Sequence, residues 1–460
     1  MGAFLLVQGL ESQHPVNETR KSHLADLRIH HFKDLYRYRW VMLAIMGVIY
    51  FLACLHRVAP TVIARDLMLE FGADATALGL MSSAYFYLYA AIQPSVGVLS
   101  DTMGPRRVIT IFTLIAAAGT VLFGTADNMP MAAVGRGLIG IGAGGIFVPG
   151  LKIFSRWYRA KEFAGVTGIF LAMGNAGNLS ASLPLTYLVL LLGWHLSFIG
   201  IGAFSLLLAA VSWMVLRDRT EDKGWNDSLI SGDDPSPPSE PTPHGMTFHK
   251  RFRIVLGHPS FWMITLSYFF FGGPALTFQG LWAVPYLMDI HGFSRVEAGG
   301  LLMLMPIGLI VGAPCIGYLA DRFPMGRTRI LTISLCLPLL CWLFLLASGG
   351  EPNFIFLTPI FLVMGLCGGG SLSLYMTMLK ELFPSWLTGT AMGLMNPAAF
   401  LAGALFQPFT GYLMDAVGSS GSIYPLEAYH RVFGVFLAST IVALGFLISL
   451  IVRQTRQDGA

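Results

Sequence analysis

The stretch GVLSDTMGPRR, Gly97–Arg107, decides how this chain folds, because it occurs twice. The second version, GYLADRFPMGRTR, runs from Gly317 to Arg329, and Gly97 and Asp101 recur 220 residues on as Gly317 and Asp321. Each copy lies between two long apolar runs. A charged, glycine-marked turn between apolar helices, repeated at about half the chain length, is the pattern of a membrane protein built from two similar halves.

Composition points the same way. The 460 residues are 55% hydrophobic and only 12% charged, and the mean hydropathy is +0.65. Soluble domains carry about a quarter charged residues. The net charge of +4 is no signature of nucleic-acid binding. All five cysteines (Cys54, Cys315, Cys336, Cys341, Cys367) fall in apolar runs, which argues against a disulfide framework. The opening MGAFLLVQGL lacks a basic flank and is too short to span, so no cleavable signal peptide is read.

Apolar runs of about 20 residues cross a bilayer. Twelve are expected, near 39–63, 74–99, 108–126, 131–152, 163–192 and 196–216, then 258–288, 296–319, 329–348, 353–379, 388–414 and 430–452. They divide the chain into an N-terminal segment (1–36), a first six-helix bundle (37–216), a linker (217–257), a second bundle (258–453) and a tail (454–460). The linker, with SGDDPSPPSEPTPHG, is too polar and proline-rich to form a core.

Basic residues set the orientation. With the amino end in the cytoplasm, 24 of the 29 lysines and arginines fall in cytoplasmic segments; the rest are Arg57, Arg65, Arg136, Arg295 and Arg431. The positive-inside rule therefore places both termini and the linker in the cytoplasm of a multi-pass cell-membrane protein.

The halves match beyond the charged turn. Gly165 and Pro184 recur as Gly389 and Pro408, and GIGAGG (Gly140–Gly145) has a counterpart in GLCGGG (Gly365–Gly370). Such glycine faces let helix backbones approach closely. GRGLIG (Gly135–Gly140) fits a dinucleotide fingerprint in letters alone, since no strand precedes it. No metal-ligand spacing, GxSxG or phosphate-cradling loop occurs, which argues against an enzyme, a cofactor or a metal.

On these motifs the chain resembles the major facilitator superfamily over about residues 37–453. Gly97, Leu99, Asp101, Gly104, Arg106 and Arg107 match the family's signature between its second and third helices, and Arg136, Gly140 and Gly142 match that of its fourth. LRDRTEDKGW (Leu216–Trp225) and WYRAKE (Trp157–Glu162) are similar to the sugar-phosphate and organic-anion permease branch. The resemblance implies an all-α fold of twelve transmembrane helices in two pseudo-symmetric bundles that rock about a midplane site. It also implies a cytoplasmic gate. Gly97, Asp101, Gly104, Arg106, Arg107 and Arg136 belong to it, with Gly317, Asp321 and Arg327 from the second copy, and Asp101 caps the amino end of the eleventh helix. The second copy has Pro324 where the first has Gly104, and Gly326 is displaced, so its half of the gate is expected to be weaker. In the sugar-phosphate branch two arginines and a histidine clasp phosphate. Here Arg57 falls near the first arginine, while Leu276 and Gly174 take the other two positions.

Several polar residues share helical faces and are expected to line the site. Tyr50, Cys54 and Arg57 form one stripe, and Ser82, Tyr85, Tyr89 and Gln93 another. Asn175 and Asn178 align in the fifth span; Tyr268, Gln279 and Trp282 align in the seventh; Tyr375 and Asn396 come from the tenth and eleventh. The asparagines are expected to bond between helices. Arg57 reads as the anchor for an anionic group, gripped bidentately, or as an arginine snorkelling to headgroups. His56 is a candidate proton-coupling residue or an interfacial histidine. Lys152 reads as a helix-end lysine. The expectation is a monomeric secondary transporter of a small polar anionic solute, driven by protons or by an exchanged anion. The other reading is a solute sensor that signals through a partner.

Overall fold

The computed structural model describes residues 18–223, 248–323, 326–349 and 354–458. Most of the expected linker and residues 1–17 lie outside the described residues. Seventeen α-helices occur among them. In the first half these are α1 (Glu18–Val58), α2 (Pro60–Phe71), α3 (Ala75–Thr102), α4 (Pro105–Gly124), α5 (Met129–Gly144), α6 (Phe147–Trp157), α7 (Ala160–Ser180) and α8 (Leu183–Val215). The second half holds α9 (Phe248–Leu256), α10 (Pro259–Thr277), α11 (Ala283–His291), α12 (Arg295–Leu302), α13 (Leu304–Arg322), α14 (Arg327–Ala347), α15 (Phe354–Leu382), α16 (Ser385–Asp415) and α17 (Leu426–Asp458).

These helices make twelve membrane passes. The first is α1 with α2, the fourth α5 with α6, the seventh α10 with α11, and the eighth α12 with α13. Among the described residues, eleven of these passes hold a helical stretch long and apolar enough to cross a membrane. The remaining pass, the fifth in order, is the glycine- and asparagine-rich α7, which continues into the start of α8 until Gly193 breaks the chain at φ 77°. Large apolar side chains such as Leu191 (80% exposed) and Ile355 (71%) form the outward belt, which fits lipid as the solvent. Helix extends beyond the expected first and last spans. Helix α1 starts at Glu18, well before residue 37, and α17 runs to Asp458, through most of the expected tail.

Both signature turns end the same way. Gly104 (φ 87°, ψ 144°) caps the start of α4, and Gly326 (φ 81°, ψ 144°) caps the start of α14. Gly326, not Pro324, is thus the counterpart of Gly104, two residues later in the turn. Both take a backbone conformation that a side chain would strain. The glycine-rich runs form seams. A β-carbon on Gly140 would overlap the Tyr85 carbonyl of α3, and one on Gly365 the Met305 carbonyl of α13.

The core shows how the halves meet. One hydrophobic cluster runs from the first half (Met46, Phe86, Phe154, Phe198) into the second through Phe278, Trp282, Tyr286 and Phe433. Phe261, Leu331, Tyr375 and Leu447 belong to a separate cluster of the second half. The bundles therefore fuse at the face opposite the termini and part at the terminus-bearing face, which carries the basic residues.

Candidate functional site

Arg57 occupies the last turn of α1, one to two turns beyond Cys54 and Tyr50 on the same face. Its guanidinium lies 5.0 Å from the Phe400 ring of α16, and its charge reaches Tyr50, Cys54, Tyr85, Tyr89 and, from α10, Tyr268. The Tyr85 hydroxyl donates to the Ala53 carbonyl at 3.4 Å, and the Arg57 Nε has no partner among the described residues. Arg57 enters none of the ion pairs among the described residues. An arginine at the bilayer centre costs about 2.5–3.5 kcal/mol on insertion scales. Aromatic faces and tyrosine hydroxyls offset part of that cost; an arriving carboxylate would offset more.

The remaining aromatics fix this wall. Tyr89 stacks on Phe400 at 4.2 Å and lies 5.9 Å from Tyr85. Tyr50 stacks on Phe170 at 4.6 Å and fills the space beside Gly174, where a β-carbon would meet its ring. The position expected for a ligating histidine is therefore occupied by an aromatic ring. Leu276, at the position expected for a second arginine, packs beside Gly403. Gln93, Asn175, Gln279 and Asn396 are half-buried.

Four expected lining residues point elsewhere. His56 is 2% exposed; its Nε2 lies 3.1 Å from Thr120 Oγ1, and its carbonyl accepts a 2.7 Å bond from Arg136. Trp282 is fully buried and donates to Thr410 Oγ1 at 2.8 Å. Tyr375 bonds Ser267 at 2.6 Å behind Tyr268. Asn178 bonds Asn175 within α7 at 3.4 Å, not a neighbouring helix. Trp282 turns away because Phe278–Trp282 forms a π-helical turn, which advances the face by one residue and breaks the 3.6-residue register.

At the terminus-bearing face the helix ends stand apart. Gly97, Gly165, Gly168, Gly317, Gly389 and Gly393 each have open space where a β-carbon would be. The Asp101 side chain is 74% exposed and pairs with Lys152, which also donates to the Ser100 carbonyl at 2.8 Å. Arg106 does not face Asp101. It bonds the Trp213 carbonyl, lies 4.4 Å over the Trp213 ring, and its backbone N–H donates to Asp218 at 2.7 Å. Arg107 is exposed. Arg327 pairs with Glu381; the side chain of Asp321 lies outside the described residues. Arg136 is remote from this face. It is fully buried beneath the Tyr85 ring at 4.8 Å and ties α5 to the end of α1.

The opposite face is shut by a residue that the sequence reading missed. Asp415, at the end of α16, accepts from the backbone N–H groups of Ala75 (3.0 Å) and Thr76 (2.7 Å), from the Thr76 hydroxyl and from the Tyr424 hydroxyl. It caps the amino end of α3 across the two bundles. Gly411 makes the approach possible, because a β-carbon there would overlap the Ala75 carbonyl. Gly411 to Asp415 reads GYLMD, a third G-x-L-x-D after GVLSD and GYLAD; that spacing was the available signal. Arg295 and Asp66 add a bidentate pair at 2.7 and 2.6 Å on the same side.

This architecture agrees with comparisons to known proteins. The family model described as Major Facilitator Superfamily matches residues 40–407. The probable sulfoacetate transporter SauU of Cupriavidus necator is 27% identical over 402 residues, 84% of this chain and 90% of that one. The hexuronate transporter of Escherichia coli K12 is 26% identical over 419 residues, 88% and 93% respectively. A bacterial homologue of the human lysosomal transporter Spinster, solved inward-facing and unoccupied, superposes with a TM-score of 0.70 at 19% identity, covering 89% of this chain and 96% of that one. With both signature turns in place and the family model spanning most of its length, the chain belongs to the Major Facilitator Superfamily.

Proposed function

We propose that this transporter moves a small hydroxylated organic acid by alternating access, with Arg57 gripping the carboxylate. The observation that carries the reading is Arg57 itself: a cation with no acidic partner among the described residues, its charge felt by Tyr50, Tyr85, Tyr89 and Tyr268. The guanidinium supplies the charge, and the phenol hydroxyls suit hydroxyl groups of the solute. A single arginine, with Leu276 and Gly174 at the other two expected ligand positions, fits a monocarboxylate better than a phosphate dianion. The relatives named above for sulfoacetate and hexuronate carry organic anions, and as transporters they weigh against the sensor and the enzyme.

The two faces describe one half of the cycle. With the termini cytoplasmic, the fused end is external and the parted end internal, so the structure corresponds to an inward-facing state of a cell-membrane protein. In the opposite state Asp101 leaves Lys152 and caps the amino end of α16, as Asp415 now caps α3. Two G-x-L-x-D carboxylates at opposite ends of an antiparallel helix pair thus alternate. The site has no acidic side chain, since aspartates and glutamates cluster at the helix ends. Coupling is assigned to a proton or an exchanged anion outside the Arg57 wall, in a monomer.

A thermal-shift comparison of purified protein with glucuronate, glucose and glucose 6-phosphate tests the reading, since a ligand stabilises the state it binds. Glucuronate should raise the unfolding midpoint more than either of the others. Equal or larger shifts with glucose would remove the carboxylate anchor.

A further inference from the structure

A pocket of about 360 Å3 opens at the terminus-bearing face beside the first signature turn, away from the Arg57 wall. Arg106, Arg107, Arg156 and Arg219 line it, with Asp101 and Asp218. Both carboxylates are engaged, Asp101 by Lys152 and Asp218 by the Arg106 backbone N–H. Arg106 is tied to the Trp213 carbonyl, but the other three guanidinium groups are much less committed. Arg156 makes one long bond, 3.4 Å to the Asp218 carbonyl. Arg107 and Arg219 have no side-chain partner among the described residues. Elsewhere on this face arginines find acids, as in Arg39 with Glu162 and Arg327 with Glu381. Exposed apolar side chains adjoin its rim. Met103 is at its rim, Trp213 (47% exposed) lies under Arg106, and Met214 (61%) follows it.

We propose that this pocket binds the phosphate of an anionic phospholipid headgroup. Guanidinium forks match phosphate oxygens in pairs, and the apolar rim suits the start of an acyl chain. A free phosphate would use the forks but not the rim. The bound headgroup bridges the start of α4, the end of α6 and the chain leaving α8. The inference does not depend on which solute the protein carries.

The test uses the full chain in detergent and thermal unfolding against three probes: dihexanoyl phosphatidylglycerol, dihexanoyl phosphatidylcholine and inorganic phosphate. Phosphatidylglycerol should stabilise the protein, and phosphatidylcholine should not. Each arginine near an anionic lipid contributes about 5-fold in affinity, so Arg219→Gln should need about 5-fold more phosphatidylglycerol for the same shift. The double variant Arg156→Gln/Arg219→Gln should need about 25-fold more. Because Arg219 is exposed, the single variant keeps the test readable if the double variant folds poorly. Equal stabilisation by phosphatidylcholine, or an unchanged phosphatidylglycerol response in Arg219→Gln, would overturn the proposal. Inorganic phosphate acting at the same concentration would assign the pocket to a soluble anion and overturn it as well.

Discussion

Asp415→Asn should open the face opposite the termini. The carboxylate now accepts two backbone N–H groups of the first turn of α3 and two hydroxyls, from Thr76 and Tyr424. Asparagine keeps one acceptor oxygen and turns an NH2 group towards donors, so at least one of these four bonds is lost, although the Ala75 N–H keeps the Tyr424 hydroxyl at 3.0 Å. The charge at the helix end is lost as well, a term of up to about 2 kcal/mol in partly buried sites. Hydrogen bonds to charged groups contribute about 1 kcal/mol more than neutral ones. A loss of about 2–3 kcal/mol moves the two-state equilibrium about 30- to 150-fold away from the present state. Spin labels at the exposed positions Asp127 and Ser419, one in each bundle at that face, report the change by double electron–electron resonance. The exposed Cys315 and Cys336 are first replaced by serine. Asp415→Asn should populate a longer label separation that is rare in the parent. An unchanged distance distribution, in folded protein, would remove Asp415 from the gate.

Asp101→Asn should act in the opposite sense: about 1–2 kcal/mol of lost helix-end stabilisation favours the present state about 5- to 30-fold, and transport falls while the unfolding midpoint holds. Cysteines at Ser236, outside the described residues, and at Ser420 should differ in intact cells: an impermeant maleimide reaches Ser420→Cys only, and labelling at Ser236→Cys would reverse the orientation. Burial pushes the Glu162 carboxyl up, but hydrogen bonds from Arg39 and the Arg159 backbone outweigh it and hold the pKa below the usual glutamate value. A depressed carboxylate pKa stabilises the fold at neutral pH and loses that contribution as pH falls through the lowered value. The unfolding midpoint of the parent should therefore drop more steeply on acidification than that of Glu162→Gln; parallel curves would contradict the pairing.

The helices and the doubled turn were legible because each rests on local chemistry: a run of apolar residues long enough for a bilayer, and a glycine, an acid and arginines at fixed offsets. Gly104 and Gly326 share their dihedral angles although their turns differ by two residues, so the displaced glycine keeps the same role, which only the backbone shows. Arg57 was legible because an arginine inside a long apolar run is costly and needs a reason. Its neighbour His56 was not, since which side of α1 meets Thr120 depends on how α4 and α5 pack. Trp282 failed for a local reason, the π-helical turn that shifts the face. Asp415 was overlooked although GYLMD repeats the G-x-L-x-D spacing. It carries no neighbouring arginines, and its partner is a helix end 340 residues away.

Uptake of labelled glucuronate into proteoliposomes holding the parent, Arg57→Lys or Arg57→Ala tests the central claim most directly when paired with binding to the same folded proteins. Lysine keeps the charge but loses the fork, and alanine loses both. An unpaired buried charge typically costs several kcal/mol, so the account predicts binding at least about 100-fold weaker in Arg57→Ala, intermediate in Arg57→Lys, and uptake falling in the same order. Equal affinity and uptake in all three proteins would contradict it.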